Sequence, residues 1–235
     1  MTYLRKHDVR TLADRVVGAY KERTHITADI YAVNIESLAE LFGFEVIKIK
    51  FGEDSDLLGF TAFRYQRTIV TDEEGNEIPL YLSTKSIVVN ESLKESCIGR
   101  YNFTIAHEVA HQVINKAYGL NYQQKYRMTP HYYYRKRNAV YDADEVLANQ
   151  LASFILMPAK PIRIAFRKAF ERSRIEIISP DMNRDHYRHF VSIAKLFGVS
   201  KEALKIRLQQ LGMLGEFRDN YYNTTIDVFP EEKTA

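Results

Sequence analysis

An α+β fold is predicted by three features of this sequence. Short alternating segments cluster between residues 44 and 90, and helical periodicity precedes and follows them. Two long apolar-striped segments, FTIAHEVAHQVI and ADEVLANQLASFILMP, then each hold two polar residues four positions apart. The sheet should be small and mostly antiparallel, with an active-site helix pair and a helical C-terminal region after it.

The elements follow in order. Apolar residues recur at helical spacing through 9–23 (Val9, Leu12, Val16, Ala19, Tyr20), which predicts an opening amphipathic helix. NIESLAELFGF predicts a second helix, about Glu36 to Phe42, stopped by Gly43. FEVIKIKF alternates as a strand does. LGFTAFRYQRTIV and EIPLYLS read as strands joined by the polar turn TDEEGNE, with Gly75-Asn76 at its tip. KSIVVN is a further short strand. FTIAHEVAHQVI carries the apolar stripe Ile105, Val109, Val113, and Asn102 is placed to cap its start. ADEVLANQLASFILMP runs from Ala143 to Pro158 and ends at the proline.

On a helix, residues i and i+4 point the same way. His107 and His111 can therefore hold one metal ion from one face, with Glu108 beside it to take a proton from water. Zinc accepts imidazole nitrogen, and a catalytic zinc uses three protein ligands plus water. The third ligand should come from the second helix. Glu145, 34 positions beyond His111, shares a face with Asn149; Asp142 and Asp144 are rival carboxylates nearby. Asn149 can accept the free ring N–H of a ligand histidine. Ala148, Leu151, Ala152 and Ile155 supply the packing side, and the small residues among them let two helices approach closely. Manganese or iron can also occupy a His-His-Glu set.

Composition bounds the rest. The 235 residues suffice for one large domain or one domain with a small appendage, and 46% hydrophobic with 27% charged content is ordinary for a soluble globular protein. The single cysteine, Cys97, forbids an intrachain disulfide, so a zinc site must use histidine and carboxylate. MTYLRKHDVRTL has no apolar core of signal-peptide length, and no apolar run approaches the roughly 20 residues that span a bilayer. A cytoplasmic location and no membrane partner are expected. A net charge of +3 permits contact with nucleic acid without arguing for it.

RYNFTIAHEVAHQVI followed by DEVLANQLASFILMP, with SIVVNESL before them, resembles the ImmA/IrrE family of zinc metallo-endopeptidases. The matching positions are Arg100, Phe103, Thr104, Ala106, His107, Glu108, His111, Glu145, Ala148, Asn149, Ala152, Met157 and Pro158. Leu151 departs from the common phenylalanine, conservatively. The resemblance spans roughly 30–160 and continues faintly to about 214. It implies a zincin-like minimal metallopeptidase fold, zinc ligands at His107, His111 and Glu145, and a catalytic base at Glu108. In the similar thermolysin-type gluzincins a carboxylate stands where this chain has Asn149, which orients its histidine but raises its basicity less. The implied division is an N-terminal helical segment (1–30), a metallopeptidase domain (31–160), a helical region (161–217) and a polar tail (218–235), partly disordered.

Two segments extend this expectation. KYRMTPHYYYRKRNAVY, between the motif helices, offers His131, Tyr132, Tyr133, Tyr134 and Tyr141 as oxyanion or substrate contacts, or as a surface loop of amphipathic tyrosines. SIVVN is either an edge strand that pairs with extended substrate, as zincins use, or a plain core strand.

HYRHFVSIAKLFGVSKEALKIRLQQLGML predicts two helices around Gly198-Val199-Ser200. Tyr187, Phe190, Val191, Ala194 and Phe197 line the first; Ala203, Leu204, Leu208 and Leu211 line the second, between a Ser200 cap and a Gly212 stop. This is also the outline of a DNA-binding helix-turn-helix, made mildly basic by Lys201, Lys205 and Arg207. The resemblance instead implies packing onto the peptidase. His186 and His189 are not expected to ligate metal.

Three functions are consistent with these residues. The resemblance implies a zinc endopeptidase that cuts a cytoplasmic regulatory protein, such as a helix-turn-helix repressor of a mobile element or stress response. The alternatives are a DNA-binding regulator with a structural zinc, and a non-catalytic partner-binding module of toxin-antitoxin or phage type. A three-ligand open site with Glu108 beside it favours the first.

Overall fold

The opening periodicity folds as α1 (Lys6–Thr24), which sends Val9, Ala13, Val16, Val17 and Tyr20 into the core. The computed structural model describes residues 6–52, 55–119, 131–134 and 143–217. The predicted tail lies outside the described residues. α2 (Ile35–Leu41) starts at Asn34, whose side chain accepts from the Ser37 amide. It ends just before Gly43, whose φ of +78° suits glycine.

The strands are β1 (Glu45–Ile49), β2 (Leu57–Thr61), β3 (Gln66–Thr71), β4 (Glu77–Leu82) and β5 (Ser86–Asn90). They lead through α3 (Ser92–Ser96) into the long α4 (Ile98–Tyr118). After it come β6 (His131–Tyr134), α5 (Ala143–Leu156), α6 (Ala159–Phe170), β7 (Ile175–Ile178), α7 (Arg184–Leu196), α8 (Lys201–Gln210) and β8 (Leu214–Phe217).

The main sheet has the order β1-β5-β2-β6. β1 runs parallel to β5, and the other two pairings are antiparallel. This corrects one expectation and decides between two readings of SIVVN. LGFTAFRYQRTIV is not one strand: β2 stays in the main sheet, and β3 pairs with β4 in a separate hairpin. SIVVN is not an edge strand. All five residues of β5 are buried, and neighbours flank it on both sides. Its apolar centre, Ile87-Val88-Val89, fits a strand covered on both faces.

Alternation along β5, and a register irregularity in β2 between Leu57 and Gly59, divide two packing layers. Ile87, Val89 and Leu58 enter the larger core, which includes α4, α5 and the C-terminal helices. Val88 and Phe60 face the smaller one, beneath the β3–β4 hairpin with Ile49, Phe51, Val70 and Leu82. Each such fully buried side chain contributes roughly 1.5–3 kcal/mol.

The helix start also moved. α4 begins at Ile98, so Asn102 lies inside it and does not cap it. α5 ends before Pro158, which caps α6 at φ −57°. The two expected C-terminal helices form as α7 and α8. Ser200 accepts from the Ala203 amide at 3.1 Å, and Gly198 turns the chain at φ +60°. His186 and His189 set their ring edges against Phe170, at 5.5 and 5.7 Å between centroids.

Candidate metal centre

α4 is a core helix. Every residue from Thr104 to Ile114 is buried, and Gly119 closes it in the left-handed region with its amide donating to Asn115. Burial on all sides includes His107, Glu108 and His111, all fully inaccessible. Polar side chains in such a place are costly unless partners satisfy them, which marks this helix as more than packing.

Two contacts fix α4 against the sheet. At Gly59 of β2 a Cβ would stand 2.7 Å from Thr104 Cγ2 and 2.8 Å from the Val88 carbonyl oxygen, so only glycine fits the approach. Beside His111, Gln112 Nε2 donates to Thr61 Oγ1 at 2.7 Å and to the Ala62 carbonyl at 2.8 Å. Neither residue was singled out in the sequence. A signal existed for the first: an isolated glycine within a strand pattern often marks close backbone approach.

α5 packs against α4, with Ala106 and Ala110 of one helix and Ala148 and Ala152 of the other completely buried. This brings Glu145 to the two histidines. His107 Nε2 and His111 Nε2 are 3.1 Å apart. Glu145 Oε2 lies 3.4 Å from the first and its Oε1 3.4 Å from the second. His107 Nδ1 donates to Asn149 Oδ1 at 3.0 Å. That bond leaves the lone pair of a neutral His107 on Nε2, aimed at the other donors.

Two imidazole nitrogens and a carboxylate converging this closely form an arrangement that a cation among them would satisfy. A tetrahedral zinc with bonds of about 2.0–2.2 Å sets its ligand atoms roughly 3.3–3.5 Å apart, close to the separations found here. The donor set therefore fits a divalent ion held by three ligands from the described residues. Among the described residues, His107, His111 and Glu145 are the histidine, cysteine or carboxylate group suited to hold a metal. Asp144, on the same helix, is half-buried and not in that group. Asp142 lies outside the described residues. Cys97 is a free, buried thiol just before α4, also outside the group.

The tyrosine-rich segment is in part a strand, not a loop. His131 to Tyr134 form β6, with Thr61↔His131, Phe60↔Tyr132 and Gly59↔Tyr133 in register. The oxyanion expectation for their side chains, and for Tyr141, lies outside the described residues.

Chain comparison agrees with the geometry. A peptidase-family model described as the IrrE N-terminal-like domain matches residues 39–209. This chain belongs to that family. The match runs through the C-terminal helices, so the family likeness includes α7 and α8 as well as the motif helices. No curated protein matches the chain. Among solved structures, a Mycobacterium tuberculosis transcriptional regulator is 17% identical, with a TM-score of 0.36, over 88% of this chain and 52% of that one. The chain thus spans about half the length of that regulator. Among the described residues of this IrrE-like chain, no helix is long and apolar enough to cross a membrane.

The basic residues of the helix-turn-helix-like pair have other duties. Arg207 is 3% exposed; its Nε donates to the Met157 carbonyl at 3.0 Å, and its guanidinium lies 4.3 Å from the Phe154 ring centroid. Burial first, then the charges of Arg10 and Arg163, bring it down to about 10, so it remains charged at neutral pH. Lys205 pairs with Glu202, and Lys201 donates to the Tyr187 hydroxyl.

Proposed function

We propose that this chain is a zinc-dependent endopeptidase acting on a cytoplasmic regulatory protein, with a helix-turn-helix repressor of a mobile element or stress response as the substrate class. The observation that carries the reading is the buried set of three donors 3.1–3.4 Å apart, with Glu108 next to the first of them in sequence. His107, His111 and Glu145 would hold the ion, and Asn149 orients His107. When bound, zinc acidifies water to a pKa of around 7 and polarises the scissile carbonyl.

The remaining work falls to the chain. Glu108 accepts a proton from the attacking water and returns it to the leaving amine. Its burial keeps bulk water from competing for that proton. Asn149 carries no charge, so it fixes the ring of His107 without adding a second carboxylate to the site. Among the described residues β6 is the end strand of the main sheet, and its edge facing away from β2 is where an extended substrate would add a strand.

A DNA-binding reading has less support. It needs a free recognition helix, yet Arg207 of α8 is turned into the core. The test is cleavage of the repressor encoded beside this gene, by purified wild type and Glu108→Gln, each with and without zinc. A product from the zinc-loaded wild type alone supports the reading. Equal product from both proteins removes Glu108 from the mechanism, and no product under any condition favours a regulator.

A further inference from the structure

The helices that carry the donors are each fastened to the C-terminal helix pair by pointed contacts. On α4, Asn102 lies five residues before His107, and its Nδ2 donates to the Gly198 carbonyl at 2.8 Å. One turn earlier, Gly99 leaves no room for a side chain: a Cβ there would stand 2.4 Å from the Ser200 amide nitrogen and 2.6 Å from the Val199 carbonyl carbon. The first turns of α4 therefore rest on the backbone of the α7–α8 turn. On α5, the chain end is held differently. Arg207 of α8 reaches the Met157 carbonyl, just past the last turn, and covers the Phe154 ring.

One short unit thus grips both helices. The α7–α8 turn holds α4 and α8 holds the far end of α5, while the space between α4 and α5 is where His107 and His111 meet Glu145. A carbonyl at a helix end accepts a hydrogen bond readily, and a charged donor makes that bond strong and directional. Metal donors must be placed to within a few tenths of an ångström for good affinity. A shift of α5 relative to α4 moves one donor away from the other two.

We propose that Asn102 and Arg207 are positioning residues for the metal centre, through which the C-terminal helix pair sets the spacing of α4 and α5. This rests on reading His107, His111 and Glu145 as a metal site. It gives the helix-turn-helix-like outline a task inside the protein, in place of one on DNA.

The test measures zinc affinity of the full chain by competition with a chromophoric chelator, together with thermal stability of the zinc-free protein. Asn102→Ala and Arg207→Met should each weaken zinc binding about tenfold, as loss of a supporting contact does elsewhere. Arg207→Lys, which keeps a charged donor, should restore part of the loss. A residue that only stabilises the fold would lower melting of the zinc-free and zinc-loaded forms alike and leave affinity of the folded protein unchanged; that result overturns the proposal. If Asn102→Ala fails to fold, Asn102→Asp keeps the shape and removes the donor, and is read the same way. A wild type that binds no zinc overturns the metal reading and this inference with it. A wild type that binds zinc alongside variants that bind equally well overturns the positioning role alone.

Discussion

His107 and Asn149 are joined across two helices by one hydrogen bond, Nδ1 to Oδ1 at 3.0 Å. The residues are 42 positions apart in the chain, and the bond fixes which ring nitrogen of His107 keeps its lone pair. Asn149→Ala should weaken zinc binding about ten- to hundredfold, measured by chelator competition. Asn149→Asp should hold zinc at least as tightly as wild type, because a carboxylate accepts the same N–H and raises the basicity of the ring. An alanine variant with unchanged affinity would show that the bond orients nothing.

Glu108→Gln should keep zinc and lose turnover. An amide cannot take the proton, so cleavage should drop by about 10²–10⁴ while zinc stoichiometry by metal analysis stays that of wild type. Loss of zinc together with activity would assign Glu108 to the metal and not to proton transfer.

Zinc should stabilise the fold because its donors come from separate elements. At free zinc near 100 times the dissociation constant, linkage adds about 2.7 kcal/mol, visible as a rise in melting temperature that a chelator reverses. Glu145→Ala should abolish most of that rise. If the variant responds to zinc as wild type does, the third donor lies elsewhere.

Gly59→Ala should destabilise the protein by about 1–3 kcal/mol in denaturant unfolding, through overpacking. The added methyl would meet Thr104 Cγ2 and the Val88 carbonyl oxygen. Thr104→Ser removes the first obstacle and not the second, so the double variant should recover only part of the loss.

Acid stability should depend on Glu36. Burial pushes its carboxyl upward, but hydrogen bonds from Lys48 and Tyr101, with the charges of Lys48 and Lys94, outweigh burial and hold it below the ordinary glutamate range. A depressed carboxyl contributes stability that is present above its unfolded pKa and lost as pH falls through its folded value. Glu36→Gln should therefore flatten the acid limb of the stability curve below the ordinary glutamate range and lower stability at neutral pH. An unchanged acid limb in urea titrations would refute the assignment.

The site was more legible than the sheet. Spacing of four on two amphipathic segments placed His107, His111, Glu145 and Asn149 because helical geometry is local. Strand neighbours are set by distant pairing, so nothing in SIVVN distinguished an interior strand from an edge one. LGFTAFRYQRTIV keeps an apolar pattern through its bend at Ala62–Tyr65, with neither glycine nor proline there to mark the break. The Asn102 cap was misplaced because helix continues upstream to Ile98 with no polar cap; Cys97 caps it without a side-chain hydrogen bond. Arg207 reads as a surface base in one dimension, and only the fold brings the Met157 carbonyl to it.

The continuous larger core bears on how this protein can be dissected. A fragment cut after Pro158 would retain every donor, yet it would strip Phe166, Phe190, Phe197, Leu204 and Leu208 from the apolar mass that also holds Ile105 and Leu151. The shortest piece that carries the chemistry on paper is therefore not a piece that folds. Truncation should yield insoluble or molten material, whereas trimming from Arg218 onward leaves every described contact in place.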